Sequence, residues 1–351
     1  MMIPAGCFFL VLLLLPVPAL AWGPGTHVDL GLLILKDLSL LAPVVAALLR
    51  RFPFDFLYGN LAADITVAKN LAPYRLHCHN WQVGKTILEL AEDDAGRAFA
   101  WGYLSHLAAD IVAHNYFVPY KTVQYFHRPR PTHAGWEIRF DRFARPQAWQ
   151  TARALGGAAF SAHDRLLSRV LVGPLFSFPV NRRLFSSFML AQRVLRWRRA
   201  SSASGRRGAL ILLPEEVEQS RRLSLERIQA LLSAGPEAPL LQADPAGHRN
   251  LLLAREIHRQ LRAMNRRDGL LEPEQIGPLY RRVFFESLQG RLELPSLESF
   301  RSPFYEEKER GLMERGRRAA SRLQKAGREL WARSRAQTGR LMRRWRRRRR
   351  D

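Results

Sequence analysis

The sequence predicts an all-α protein. Apolar residues recur at helical spacing through most of the chain, and no alternation of apolar and polar residues is long enough for a half-buried strand. Gly-Pro, Arg-Pro and Ser-rich stretches interrupt the helical segments, and no internal repeat is evident. The 351 residues suffice for one large or two moderate domains with a sizeable hydrophobic core.

One helix carries a stripe of metal-capable side chains. The segment from Tyr103 to Phe117 has neither Gly nor Pro, and apolar residues flank its polar positions, so we expect it to be buried. His106, Asp110 and His114 recur at i, i+4 and i+8 and share one helix face. Eight residues at about 1.5 Å each separate the two histidines by roughly 12 Å, whereas a zinc–nitrogen bond is about 2 Å long. The two histidines must therefore serve different metals, unless they are simply satisfied core residues.

Two histidine-containing segments flank this helix. His133 and Glu137 repeat the i, i+4 spacing and are expected to complete the site of His114. His77 and His79 lie two residues apart, a spacing that puts both on one face if the segment is extended and turns them apart if it is helical. We expect only one of this pair to be a metal ligand.

The N-terminal segment is typical of a secretory signal peptide. Residues from Cys7 to Leu20 are almost wholly apolar, and Ala19-Leu20-Ala21 is a small-x-small cleavage site, which predicts a signal peptide over 1–21 and an exported, periplasmic or secreted, protein. The apolar run is shorter than the about 20 residues that a membrane-spanning helix needs. Cleavage would leave Cys78 as the one cysteine, which excludes an internal disulfide in the mature chain.

Cleavage would also make Trp22 the first residue of the mature chain. In the turn-rich opening that follows, Thr26 is expected to cap a helix from Val28 to Leu38. The turn brings His27 near the new terminus, whose α-amine, with a pKa of about 7.7–8.0, loses its proton far more readily than Lys. We expect the amine and carbonyl oxygen of Trp22 to form a ligand cluster with His27; the alternative is a surface histidine.

Two acids and a loop complete the expectations for the site. Asp55 and Asp64 flank a predicted turn at Gly59-Asn60. Asp64 follows an apolar helical turn, so it is expected to face the histidine stripe, the alternative being a cap or a surface acid. The segment Pro119–Pro131 is rich in Pro, Arg and aromatic residues, which favours a loop over the site.

Charge divides the chain into two halves. Residues 22–150 contain 13 Lys and Arg against 11 Asp and Glu, whereas residues 151–351 contain 42 against 20. Seven of the ten histidines lie between His27 and His133, so the chemistry is expected in the near-neutral half. The segment 308–351 has a basic amphipathic helical pattern that suits an anionic membrane surface or, as an alternative, a nucleic acid.

The ordered set of metal-capable residues resembles the zinc-dependent phospholipase C family, which has an all-helical fold and a three-zinc site. The resemblance spans about Trp22 to Asp141 and implies a phospholipase C/P1 nuclease-like helical domain over 22–200. The Ser- and Gly-rich residues 201–208 predict a linker, and helical patterns predict extra C-terminal helices within 209–307 before the basic tail. The resemblance assigns Asp64, His79 or His77, His106 and Asp110 to the first Zn²⁺. It assigns Trp22, His27 and the bridging Asp110 to a close neighbour, and His114, His133 and Glu137 to the third.

The four-residue step from Asp110 to His114 is shorter than in the secreted bacterial members of that family and is similar to glycosylphosphatidylinositol-specific phospholipase D. The expected activity is hydrolysis of a phospholipid by a metal-activated water, with Asp64 or Asp55 as the proton acceptor. Trp22-Gly23 and the step to His27 also resemble the opening of S1/P1-type single-strand nucleases, but those have His-x-x-x-Asp where this chain has Glu137. A third hypothesis is that the chain is a non-catalytic membrane-binding protein.

Overall fold

The computed structural model describes residues 22–66, 77–128, 133–171, 176–189, 211–269 and 271–294. In these ranges the secondary structure consists of helices without strands, as the sequence predicts. The α-helices, numbered in chain order, are α1 Pro24–Lys36, α2 Pro43–Arg51, α3 Pro53–Ala62, α4 Trp81–Glu89, α5 Asp94–Val112, α6 Val118–Gln124, α7 His133–Phe140, α8 Pro146–Gly157, α9 Ser161–Val170, α10 178–189, α11 Pro214–Ala234, α12 His248–Asp268 and α13 Pro273–Leu288.

Local sequence explains where many helices begin. Pro occupies the first position of α1, α2, α3, α8, α11 and α13, where its missing N–H costs no hydrogen bond and its fixed φ suits the helix. Asn80 caps α4 by accepting a hydrogen bond from the N–H of Gln82, and Asp93 caps α5 through the N–H of Gly96.

Helix α1 begins differently from the predicted Thr26 cap. It starts at Pro24, and the N–H and Oγ1 of Thr26 both donate to Oδ1 of Asp141, at 2.7 and 2.9 Å. The acceptor for this helix terminus therefore comes from a residue distant in sequence, just after α7.

Helices α3 and α5 cross at unusually close range. The predicted Gly59-Asn60 turn is wrong, because α3 continues through both residues. A Cβ added to Gly59 would lie 2.1 Å from the carbonyl oxygen of Phe99, and one added to Gly102 would lie 2.0 Å from that of Phe56. The two glycines thus let the backbones approach, which places the end of α3 beside the centre of α5.

Replacing Gly102 by Ala should therefore destabilise the protein. The new methyl group would meet a backbone oxygen that cannot rotate away, so we expect a loss of about 1–3 kcal/mol in the free energy of unfolding. Gly157→Ala is the matched control, since no atom lies within 4 Å of its added Cβ. Urea unfolding at fixed free zinc measures both variants. Equal stability of the two would show that the close crossing is not required.

Helix α5 is the centre of the core. Nearly all of its residues from Ala98 onward are buried, and helices α3, α4 and α11 pack around it. Helices α12 and α13 pack against α6. The described residues up to Leu294 thus form one packed unit, so the helices after the predicted linker do not form a separate body.

A wide π-helical turn, Ala113–Phe117, joins α5 to α6. The N–H of Val118 donates to the carbonyl of Ala113, five residues back. The expectation of a loop beginning at Pro119 is wrong, because α6 extends to Gln124. Pro119 cannot donate to the carbonyl of Asn115, and that oxygen accepts instead from Nδ2 of Asn250, at 3.2 Å.

Several expectations fall on parts of the chain outside the described residues: the signal peptide at 1–21, the linker at 201–208 and the basic tail at 308–351. Within the described residues, no helix combines the length and the apolar character that crossing a bilayer requires.

Candidate metal centre

Asp110 lies at the centre of a first group of metal-capable side chains. Its Oδ1 is 3.3 Å from Nε2 of His27, whereas its Oδ2 is 3.0 Å from Nε2 of His79 and 3.3 Å from Nε2 of His106. The rings of His27 and His106 stack with their centroids 3.6 Å apart. All four side chains are buried. The two oxygens of one carboxylate thus face different histidines, as a ligand shared between two metals would.

Asp64 forms a second group with His79 and His106. Its Oδ1 is 3.5 Å from Nε2 of His79 and 4.0 Å from Nε2 of His106. The two Nε2 atoms are themselves 3.1 Å apart. Since His79 and His106 face both Asp110 and Asp64, the first and second groups adjoin.

A third group consists of His114, His133 and Glu137. Oε1 of Glu137 is 3.5 Å from Nε2 of His114 and 2.5 Å from Nε2 of His133. His114 lies in the π-helical turn, whereas the other two residues lie one turn apart on α7. The side chain of His133 is 18% exposed and that of Glu137 only 1%. His106 and His114 thus belong to different groups, in agreement with the rise of the helix.

Backbone carbonyl groups orient two of these histidines. Nδ1 of His106 is 2.8 Å from the carbonyl oxygen of Asn60, and Nδ1 of His114 is 2.6 Å from that of Pro245. Because a carbonyl oxygen can only accept, each Nδ1 must carry the hydrogen. In the neutral imidazole, the lone pair of Nε2 then faces the other members of its group, which is the usual arrangement of a metal-binding histidine.

Electrostatics in the first group favour a bound cation. Burial, followed by the charge of His106, lowers the pKa of His27 to about 4, so His27 is neutral at neutral pH. Burial alone would raise the pKa of Asp110, but the surrounding histidines together hold it well below its usual range. Among the described residues, both ring nitrogens of His27 and both oxygens of Asp110 are buried without an aligned hydrogen-bond partner. Nitrogen and carboxylate donors that converge in this way fit zinc.

The structure separates His77 from His79. His79 reaches the first two groups, whereas Nδ1 of His77 accepts a hydrogen bond from the N–H of His79, at 3.0 Å. With Cys78, whose Sγ is 3.2 Å from Nδ1 of His79, these residues form a further set that is close enough to hold an ion. Cys78 is buried and free. His79 is thus the member of the pair that faces the other candidate ligands.

Asp55 lies outside the metal-capable groups of the described residues. Its Oδ1 is 2.7 Å from Nε2 of His163. The ring of His163 stacks on Phe99, with the centroids 4.5 Å apart. The structure therefore gives Asp55 a structural partner and does not support it as a proton acceptor at the metal groups.

Trp22 is buried beside the first group. Its Nε1 donates to the carbonyl of Ala109, the residue before Asp110, at 3.2 Å, and its ring packs against Phe117 and Phe140. A processed terminus at Trp22 would thus begin close to Asp110. Ligation by its amine remains a prediction, since the cleavage that would create the amine lies at the edge of the described chain.

The carbonyl groups of Asn60 and Pro245 were not identified from the sequence. They act through backbone atoms, which every residue possesses, so residue type carries no signal for them. The pairing of Asn60 with His106 follows only once the close crossing of α3 and α5 is known.

These helices and their donor set define an all-α protein with a multinuclear centre of histidine and carboxylate ligands. Residues 26–169 match the model of the family described as zinc dependent phospholipase C, so this segment is similar to that zinc-dependent family. The matched segment contains every candidate ligand except Trp22. Searches of curated proteins and of solved structures gave no significant match to the chain.

Proposed function

We propose that the protein is a phospholipase C: it hydrolyses the phosphodiester bond of a phospholipid between glycerol and phosphate, giving diacylglycerol and a phosphorylated head group. The observation that carries the proposal is the convergence of histidines and carboxylates, nearly all of them buried, into three groups inside the segment that matches the family, two of which share His106. Zinc ions held there would neutralise the charge of the phosphodiester and lower the pKa of water toward 7.

The proposed role of each residue follows from its position in the three groups. Asp110 is the proposed shared ligand of the first two zinc ions, with His27 on one side and His79 and His106 on the other. His114, His133 and Glu137 are the proposed ligands of the third. Since His133 is the most exposed of these residues, a substrate phosphate is proposed to approach from its side.

Asp64 is the proposed proton acceptor. Its carboxylate lies within the second group, 3.5 Å from Nε2 of His79, and its side chain is 2% exposed. A carboxylate at this place can take the proton that an attacking water must lose.

The same proposal includes export through the predicted signal peptide, the domain limits given above, and attachment of the basic tail to an anionic membrane. What supports them is the apolar segment that ends at Ala21 and the net positive charge of the second half of the chain.

The test compares two substrates on one preparation. Zinc-loaded full-length protein is incubated with phosphatidylcholine vesicles and, separately, with single-stranded DNA, and each reaction is repeated after chelation. We expect zinc-dependent release of diacylglycerol and phosphocholine. Phosphatidic acid as the lipid product would instead indicate the phospholipase D bond, cleavage of DNA alone would indicate the nuclease, and no hydrolysis would favour a non-catalytic lipid-binding protein.

Two variants locate the proton acceptor in the same assay. Asp64→Asn should reduce kcat by about 100-fold or more, the range expected for loss of a general base. Asp55→Asn removes an equal charge outside the metal groups and should retain most of the activity. Activity that depends on Asp55 and not on Asp64 would contradict the assignment.

A further inference from the structure

A short connection far beyond the matched segment contacts the third metal group. We call residues 243–248, the connection that leads into the first residue of α12, the strap. The carbonyl oxygen of Pro245 in the strap is 2.6 Å from Nδ1 of His114, and that of Asp244 accepts from Nδ2 of Asn115, at 2.8 Å. Two consecutive residues of the π-helical turn thus bond to two consecutive carbonyl groups of the strap.

Gly247 brings the strap into direct contact with the backbone of His114. Its φ is +58°, a left-handed conformation that Gly adopts without strain. An added Cβ would lie 2.4 Å from Cβ of His114 and 2.5 Å from its carbonyl oxygen. These atoms are not the ends of a flexible side chain, so a larger residue could fit only if His114 moved.

Both ends of the strap, Ala243 and His248, contact the segment that carries His77 and His79. Nε1 of Trp81, at the start of α4, donates to the carbonyl of Ala243, at 2.8 Å. The ring of His248 meets that of His77 edge to face, with the centroids 6.0 Å apart. The strap therefore contacts two segments that supply candidate ligands to different groups.

The first residues of α12 complete the attachment. Asn250 donates to the carbonyl of Asn115, the oxygen that Pro119 leaves without its helical partner. The π-helical turn consequently depends on α12 for a hydrogen bond that its own helix cannot make. The three residues that bond to this turn, Asp244, Pro245 and Asn250, all lie outside the family match at 26–169.

We infer that the strap is a positioning element of the metal centre: it holds the Nδ1–H tautomer of His114 and directs Nε2 of His114 toward His133 and Glu137. The inference rests on the proposed function only in that the third group holds zinc. It predicts that this zinc, and not the other two, depends on residues 243–250. A catalytic domain limited to the matched segment would then lack part of the support for its third zinc.

Gly247→Ala tests the inference, with Gly269→Ala as the matched control. The two glycines flank α12, both have a left-handed conformation, and only Gly247 has a neighbour within 4 Å of an added Cβ. Zinc titration of the full-length protein against a competing chelator should show one site weakened about 10- to 100-fold in Gly247→Ala, the range for altered support of a ligand. The other sites, and all sites of Gly269→Ala, should keep their affinity.

Equal titration curves for the two glycine variants would overturn the inference, as would equal weakening of all sites in Gly247→Ala. If Gly247→Ala does not fold, Asn115→Ala removes the contact to Asp244 without adding volume. It should weaken the same single site, and an unchanged third site in a folded Asn115→Ala variant would also overturn the inference. Because zinc affinity is measured and not turnover, absence of phospholipase activity would leave the result interpretable.

Discussion

Replacing Asp110 by Asn is expected to remove two zinc ions together and to abolish phospholipid hydrolysis. Asp110 faces His27 through one oxygen and His79 and His106 through the other, so both adjoining groups lose a charged ligand at once. Removing even an outer-shell partner of a metal ligand typically costs about 10- to 100-fold, so loss of a shared ligand should lower kcat/KM by more than about 100-fold. Zinc analysis after gel filtration and phosphocholine release measure the two effects.

The third group provides the internal control for this variant. His114, His133 and Glu137 do not include Asp110, so their zinc should remain. Asp29→Asn is the external control, because Asp29 is equally buried but pairs with Arg145 and Arg221. An Asp110→Asn protein with full zinc content would show that this carboxylate is not shared between two metals.

Asp110→Asn and Gly247→Ala are complementary. Asp110→Asn should remove zinc from the first and second groups and leave the third group unchanged. Gly247→Ala should weaken zinc binding at the third group and leave the other two groups unchanged. The opposite selectivity of the two variants would be difficult to obtain from general destabilisation, since that would affect every site in the same direction.

Local periodicity was sufficient to predict much of the centre. His106 with Asp110, and His133 with Glu137, are one helical turn apart, so the helix itself brings each pair together. The helical rise also predicted that His106 and His114 lie in different groups, as the structure shows. These inferences required only that the segments be helical, and the apolar flanking residues made that clear.

Tertiary contacts determine the conformation at two places where local sequence predicted it wrongly. Gly59-Asn60 has the composition of a turn, yet the close approach of α5 keeps it within α3. Pro119 has the appearance of a helix end, yet it lies in the first turn of α6, where its missing N–H is tolerated, and Asn250 donates to the carbonyl of Asn115 that Pro119 cannot reach. In both cases local propensity was outweighed by a partner that is distant in the sequence.

The acids illustrate the same limit. The sequence favoured Asp64 over Asp55 as a residue that faces the histidine stripe, but it left both open as the proton acceptor. The structure places Asp64 in the second group and pairs Asp55 with His163 from α9. That pairing joins residues more than a hundred positions apart, so neither spacing nor periodicity could have indicated it.

Replacing Lys121 by Met is expected to cause the largest loss of stability. Lys121 is 1% exposed, and its Nζ donates to Oε2 of Glu216 at 2.6 Å, which joins α6 to α11 across the core. Burial lowers the pKa of Lys121, and Glu216 opposes that shift by stabilising the ammonium group. Without the ammonium group, the carboxylate of Glu216 would be buried without its counter-charge, which costs about 3–5 kcal/mol. Urea unfolding at fixed free zinc measures the loss.

The double variant Lys121→Met/Glu216→Gln separates the loss of a counter-charge from the loss of packing. An amide at position 216 can still accept from the N–H of Leu213, as Oε2 of Glu216 does at 3.1 Å, but it carries no charge. We therefore expect the double variant to regain most of the stability that the single variant loses, because a neutral amide is far cheaper to bury than an unpaired carboxylate. A double variant as unstable as the single one would show that the contacts of the Lys121 side chain with Trp136 and Tyr125, and not the buried ion pair, hold α6 in place.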